Sequence, residues 1–176
     1  GSQSGYVFDY DHEGHGGIHA DTLALQVASY LNAKQPDLIL LHIGTNDVAS
    51  KPANSNYAAD VADVAAILDV IDNYSTEAIV VLAQIIDQNP NHNQYKPNAV
   101  ATFNSLLVAM AQSRISSGDK LILVNMYNAL DYSANDMYDW LHPNDSGYQK
   151  MAGVWHNALT GLWKPCVVHL PFIQNP

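Results

Sequence analysis

Three short apolar runs constrain the fold of this chain more than any other feature: Leu38-Ile39-Leu40-Leu41-His42-Ile43, Ala78-Ile79-Val80-Val81-Leu82-Ala83-Gln84 and Leu121-Ile122-Leu123-Val124-Asn125. None alternates with polar residues, as a strand with one wet face would. Apolar runs of this length read as strands buried on both faces. Longer segments with helical periodicity lie between them. Leu23, Val27, Tyr30 and Leu31 share one face of a segment from Asp21 to about Asn32. Gln35-Pro36 stops it, because Pro disfavours helix in the residue before it. Val61, Val64, Ile67, Leu68 and Ile71 share a face over about 56–72, and further helices are expected over about 98–116 and 145–162. Asp145 is placed to cap the last of these, with Pro143 just upstream. Helices alternating with apolar strands predict an α/β fold, a three-layer αβα sandwich around a parallel sheet.

The 176 residues suffice for one domain with a real core, expected over 1–163, followed by an irregular tail at 164–176 that holds Pro165, Pro171 and Pro176. The net charge is −10, with Lys and Arg together numbering 7. Such a surface repels phosphate backbones, so nucleic-acid binding is not expected. The sequence has no apolar run of transmembrane length, so no membrane role is expected either. The single Cys166 offers neither an internal disulfide nor a Cys-based metal site. His12, His15 and His19 have a spacing that suggests metal ligands. Gly14, Gly16 and Gly17 interrupt the segment, however, so 1–19 reads as a polar loop and no metal is expected. Sequons at Asn73-Tyr74-Ser75 and Asn144-Asp145-Ser146 matter only on secretion from a eukaryote.

In parallel sheets, sites lie at the carboxyl ends of the strands. Gly44-Thr45-Asn46-Asp47 begins at such an end, and the loop after Asn125 leads from another into Asp139-Trp140-Leu141-His142-Pro143. An Asp three residues before a His puts an orienting carboxylate beside an imidazole, the base half of a nucleophilic hydrolase site. Alone, this motif reads more readily as a loop with a surface His. The Asn46 amide can donate to a developing oxyanion, although Gly-Thr-Asn-Asp is equally natural as a plain turn. The glycines at 14, 16 and 17 can present a backbone N–H or simply form a flexible loop.

Taken together and in this order, the three blocks resemble the SGNH (GDSL-type) hydrolase family. Gly17, in His12-Glu13-Gly14-His15-Gly16-Gly17, matches that family's oxyanion glycine, and Asn46 its oxyanion asparagine. Asp139 and His142 match its acid and base. The likeness runs to about Leu162, and its wording is similar to the acetylxylan-esterase branch of carbohydrate esterases. It implies a flavodoxin-like sheet of order 2-1-3-4-5 and Ser-His-Asp hydrolysis of small acyl esters on a carbohydrate such as acetylated xylan. No cofactor is implied, and a secreted protein is. Asp47 and Trp140 become candidate substrate contacts, with Trp140 either a sugar-stacking face or a packed loop aromatic. The polar loops 48–57 and 87–97 become candidates for the acceptor side of the cleft.

The family's Gly-Asp-Ser block, which carries the nucleophilic serine, has no counterpart in these 176 residues. Ser2 and Ser4 sit in the wrong context, and Gly16 stands where many relatives carry Ser. The resemblance thus implies a chain starting downstream of two strands, one helix and the nucleophile, with low or no turnover by itself. The missing first strand would pair with 38–43, so self-association through that edge is expected. The alternative reading is a non-catalytic carbohydrate-binding or assembly module on the same fold.

Overall fold

The computed structural model describes residues 12–132 and 136–162. Ser2, Ser4, Cys166 and the expected tail lie outside the described residues. The elements run α1 (Ala20–Lys34), β1 (Leu38–Leu41), α2 (Thr45–Ser50), α3 (Ala58–Tyr74), β2 (Ile79–Ala83), α4 (Ala99–Ser117), β3 (Leu121–Val124) and α5 (Asp145–Leu162). All three apolar runs are strands, and they pair in the order β1-β2-β3, wholly parallel. The register sets Leu40 opposite Val81 and Val81 opposite Ile122. Each parallel link crosses over through a helix, as such strands require.

The large apolar cluster joins Val27 and Leu31 of α1, Val64 and Ile67 of α3 and Phe103 and Leu107 of α4 to Leu41, Val80 and Leu121 of the sheet. A smaller cluster, Ala83, Ile86, Met126 and Leu130, packs against Met151, Val154 and Trp155 of α5. The sheet is therefore sandwiched between two helical layers, the three-layer architecture expected from the alternation of elements.

Two expectations need correction. β1 is not buried on both faces: Leu41 is buried, but Leu38 and Leu40 are 36% and 44% exposed. It is the edge of the described sheet, whereas the central β2 is buried along Val80–Ala83. The cap of α5 is Asn144 rather than Asp145. The Asn144 Oδ1 accepts the Gly147 N–H at 3.1 Å, while its carbonyl accepts Tyr148 N–H at 2.9 Å. Asp145 falls inside the first turn, where its charge complements the helix dipole. The bridge between Met137 and Pro143, with Asn144 N–H donating to Asp136 O at 2.9 Å, sets the chain so that residue 144 enters the helix.

A cavity of about 800 Å³ runs beside β1, walled by Val27 of α1, Ile67 of α3 and Met151 and Trp155 of α5. His42, just past β1, contributes to its lining, and the imidazole Nε2 is buried with no hydrogen-bond partner among the described residues. Burial pushes the His42 pKa down to about 4. A His neutral in the fold and protonated when unfolded contributes stability that is intact above pH about 6.5 and falls as the pH drops towards 4. At full effect the loss is at most about 3 kcal/mol. His42→Leu is expected to flatten the denaturation midpoint between pH 6.5 and 4. An unchanged slope in that window would remove His42 as its cause.

Candidate active site

Each site residue predicted from sequence lies at the carboxyl end of the sheet or in a loop packed there. Gly44 follows β1 with φ +116°, a left-handed conformation natural to glycine. A Cβ at this position would lie 2.3 Å from the Phe103 ring. This tight corner swings the chain directly into α2, so the expected Gly-Thr-Asn-Asp turn is the start of a helix. Val48 of α2 is fully buried. Lys96 holds the far end of α2, its ammonium donating to Lys51 O at 2.6 Å and to the carbonyl of Ala49. The loop expected over 48–57 thus begins as helix, through Ser50, and its remainder is anchored by a fully buried Tyr57 and the Lys51–Asp60 ion pair at 2.6 Å.

The glycine block reaches the same place from the other side. Gly16 and Gly17 form a turn closed by Ile18 N–H to His15 O at 3.3 Å, with Gly17 at φ +77°. Asn46 Nδ2 donates to Ile18 O at 2.9 Å, which ties the two oxyanion blocks together. An amide nitrogen has two hydrogens, so one is left for a ligand.

Asp47 departs from the sequence reading. It is 2% exposed, and its two carboxylate oxygens accept Ala20 N–H at 3.1 and 3.2 Å. His19 Nδ1 stands 3.5 Å away. Burial raises the Asp47 pKa, and the Ala20 N–H and His19 work against that rise. Asp47 is therefore not a substrate contact; it caps α1 across 27 residues of sequence and holds the glycine turn against α2.

The neighbouring histidines have separate partners. His15 pairs with Glu13 at 3.1 Å and stacks on Tyr30 at 5.3 Å between centroids, and His12 Nδ1 accepts Gly14 N–H at 3.1 Å. Among the described residues no group of three or more His, Cys, Asp or Glu side chains is placed to hold a metal ion.

The third block is a closed turn. Tyr138 N–H donates to His142 O at 2.8 Å. Asp139 Oδ1 accepts the backbone N–H groups of Leu141 and His142, both at 2.7 Å, and Oδ2 lies 2.9 Å from His142 Nδ1. Burial works to raise the Asp139 pKa, but the Leu141 N–H, the His142 ring and the His142 N–H outweigh it and hold the carboxyl at about 2. Asp139 is ionised throughout the neutral range and directs His142 to carry its proton on Nδ1. The His142 side chain is 64% exposed. Its Nε2 is left to act on a reactant.

Gly17, Gly44, Asn46 and His142 all line the cavity beside β1. The structure thus brings the oxyanion candidates and the candidate base to one cavity. Trp140 does not line it; its carbonyl accepts Asn89 N–H at 2.9 Å and its ring stacks on His92. Loop 87–97 therefore packs on the Asp139–His142 turn through Trp140. Asn104 clamps the start of that excursion, accepting Ile85 N–H at 2.9 Å and donating to Ile85 O at 2.8 Å. Sequence reasoning missed both Asn104 and Lys96. Their only signals were a polar residue on an apolar helix face and a Lys in a polar loop.

Residues 3–150 match the GDSL-like Lipase/Acylhydrolase family. The chain belongs to that family, the SGNH hydrolases whose three blocks it carries. It is 30% identical over 142 residues to a multidomain esterase of Ruminococcus flavefaciens, covering 80% of this chain and 18% of that protein. It is 26% identical over 143 residues to a putative endoglucanase X of Acetivibrio thermocellus, covering 81% of this chain and 58% of that one. The chain thus spans well under two thirds of either relative. Among solved structures, a family 3 carbohydrate esterase of Clostridium thermocellum is 25% identical, with a TM-score of 0.69 over 88% of this chain and 73% of that one.

Proposed function

We propose that this chain carries the acid–base pair and the oxyanion donors of a serine ester hydrolase that removes small acyl groups, acetyl above all, from a carbohydrate such as xylan. The observation that carries the reading is the Asp139–His142 pair at 2.9 Å, whose His142 lines the same cavity as Gly17 and Asn46. In this mechanism a serine hydroxyl attacks the ester carbonyl while His142 Nε2 takes its proton. The tetrahedral oxyanion is held by the Gly17 N–H and the second Asn46 amide hydrogen. His142 then protonates the leaving sugar oxygen, and water repeats the cycle on the acyl-serine. Asp139 keeps the imidazole in the required tautomer and steadies its charged form. No step calls for a metal or cofactor. The carbohydrate ester follows from the carbohydrate-esterase relative, and a secreted location belongs to the same reading.

The nucleophile block is absent from the 176 residues, so the chain alone is expected to turn over esters slowly or not at all. The test is to restore ahead of Gly1 the family's upstream segment, two strands and a helix with Gly-Asp-Ser at the end of the first strand, and measure acetate release from acetylxylan. Activity is expected in the restored protein and not in the chain by itself. Continued inactivity, together with indifference to His142→Ala, would leave the non-catalytic binding module as the better reading.

Among the described residues β1 is the edge of the sheet, which supports a second copy of the chain as a partner. Strand edges with unpaired N–H and C=O groups and exposed apolar side chains associate. Leu38 and Leu40 present that combination beside the apolar cavity. Sedimentation at micromolar concentration is expected to find assemblies larger than a monomer, and Leu40→Lys should shift them towards monomer. A clean monomer of the unaltered chain would contradict this partner.

A further inference from the structure

We propose that Trp140 and His92 together form a platform for a pyranose ring, the sugar on the alcohol side of the scissile ester. The choice of a sugar as occupant rests on the carbohydrate-ester reading above; the platform itself rests on geometry. The two rings stack with centroids 6.3 Å apart and planes 23° from parallel. Both residues are partly buried, and neither belongs to the apolar clusters of the core. Two aromatic faces at a surface, excluded from the core yet held in register, present an apolar area suited to the C–H face of a sugar.

The pair is fixed rather than draped. Asn89 N–H donates to Trp140 O at 2.9 Å, and His92 N–H donates to Asn89 O at 3.1 Å. Gln94 N–H donates to His92 Nδ1 at 3.3 Å, which orients the ring and makes Nδ1 an acceptor. The proton of the neutral imidazole then sits on Nε2, a donor available to a sugar hydroxyl. The exposed amides of Asn93 and Gln94 stand in the same loop.

Position assigns the platform to the alcohol side. Leu141, His142 and Pro143 line the cavity that also holds Gly17 and Asn46, whereas Trp140 packs on loop 87–97. His142, two residues from Trp140 in the same turn, lines the cavity with the oxyanion donors, and this links the platform to the site. An acyl group seated against Gly17 and Asn46 sends its alcohol past His142, which must protonate it, and the next surface it meets is Trp140 with His92.

Calorimetric titration of the chain with xylohexaose tests this without any need for turnover. Saturable binding is expected at sub-millimolar to millimolar concentration, weakened about tenfold by Trp140→Ala and severalfold by His92→Ala. His92→Phe keeps a stacking ring and should bind within about threefold of the native chain. Circular dichroism checks the fold of each variant; should Trp140→Ala fail to fold, the His92→Ala and His92→Phe pair still decides. Absence of xylohexaose binding, or binding indifferent to both alanine variants, overturns the platform. Hydrolysis of p-nitrophenyl acetate by the protein with its upstream segment restored involves no sugar. Aryl acetate turnover without xylohexaose binding therefore removes the platform alone, whereas binding without aryl acetate turnover removes the hydrolase reading and keeps the platform.

Discussion

Asp139→Asn, made in the protein with its upstream segment and Gly-Asp-Ser block restored, is expected to lower kcat by about four orders of magnitude while leaving the fold nearly as stable. The reason lies in how the two carboxylate oxygens divide their work. Oδ1 accepts two backbone N–H groups at 2.7 Å, so the amide oxygen of an asparagine must take that place. The amide nitrogen then faces His142 Nδ1, which now stands 2.9 Å from Oδ2. Facing a donor, Nδ1 becomes the acceptor and the ring proton moves to Nε2. A base carrying its proton on the reacting nitrogen cannot take one from serine. His142→Ala should cost about six orders of magnitude, and the double variant little more, because the pair acts as a unit. Steady-state rates on aryl acetates measure this; a tenfold loss or less for Asp139→Asn would deny the carboxylate its orienting part. The depressed Asp139 pKa also has a sign. Its contribution to stability is intact above pH about 4 and is lost only as the pH falls through about 2. A fall in activity near pH 5 would therefore not come from Asp139.

The second large effect is on folding. Gly44→Ala places a methyl 2.3 Å from the Phe103 ring and forces a side chain into φ +116°. Phe103 is fully buried in the main cluster and touches Tyr57 edge-on at 6.3 Å, so its ring has little room to retreat. Backbone strain and overpacking together are expected to cost about 2–5 kcal/mol. That is a large share of the stability of a domain this size. Urea denaturation reads it directly, and a midpoint shift worth less than about 1 kcal/mol would mean that the corner relaxes. Because Gly44 delivers Asn46 to the cavity, whatever folds should also bind the oxyanion less well.

The elements legible in the sequence are those whose signal is local. β2 buries nearly its whole length, so an unbroken apolar run announced it, and Gly118 ended α4 as C-terminal glycines do. The Asp139–His142 pair was legible because both partners and the two N–H groups that hold Asp139 lie within one turn. What escaped depends on distant residues. Thr45–Ser50 has the composition of a turn, and it becomes a helix because Val48 is buried and Lys96, 45 residues from Lys51, satisfies its last carbonyls. Asp47 looked like a site residue because it adjoins Asn46; its real partner is the N–H of Ala20. Asn144 and Asp145 are equally good caps by type, and only the Met137–Pro143 bridge chooses between them. His42 was hidden inside an apolar run, where nothing marks an imidazole nitrogen that will be buried with no hydrogen-bond partner among the described residues.

The central claim is that Asp139 holds His142 with its proton on Nδ1 and its Nε2 lone pair turned to the cavity shared with Gly17 and Asn46. Nitrogen-15 NMR of the histidine rings in the unaltered chain, near neutral pH, measures this without any nucleophile present. The account predicts that neutral His142 is the Nδ1–H tautomer and that Asp139→Asn converts it to the Nε2–H form. A His142 ring that favours Nε2–H in the unaltered chain, or that ignores the substitution, would contradict it.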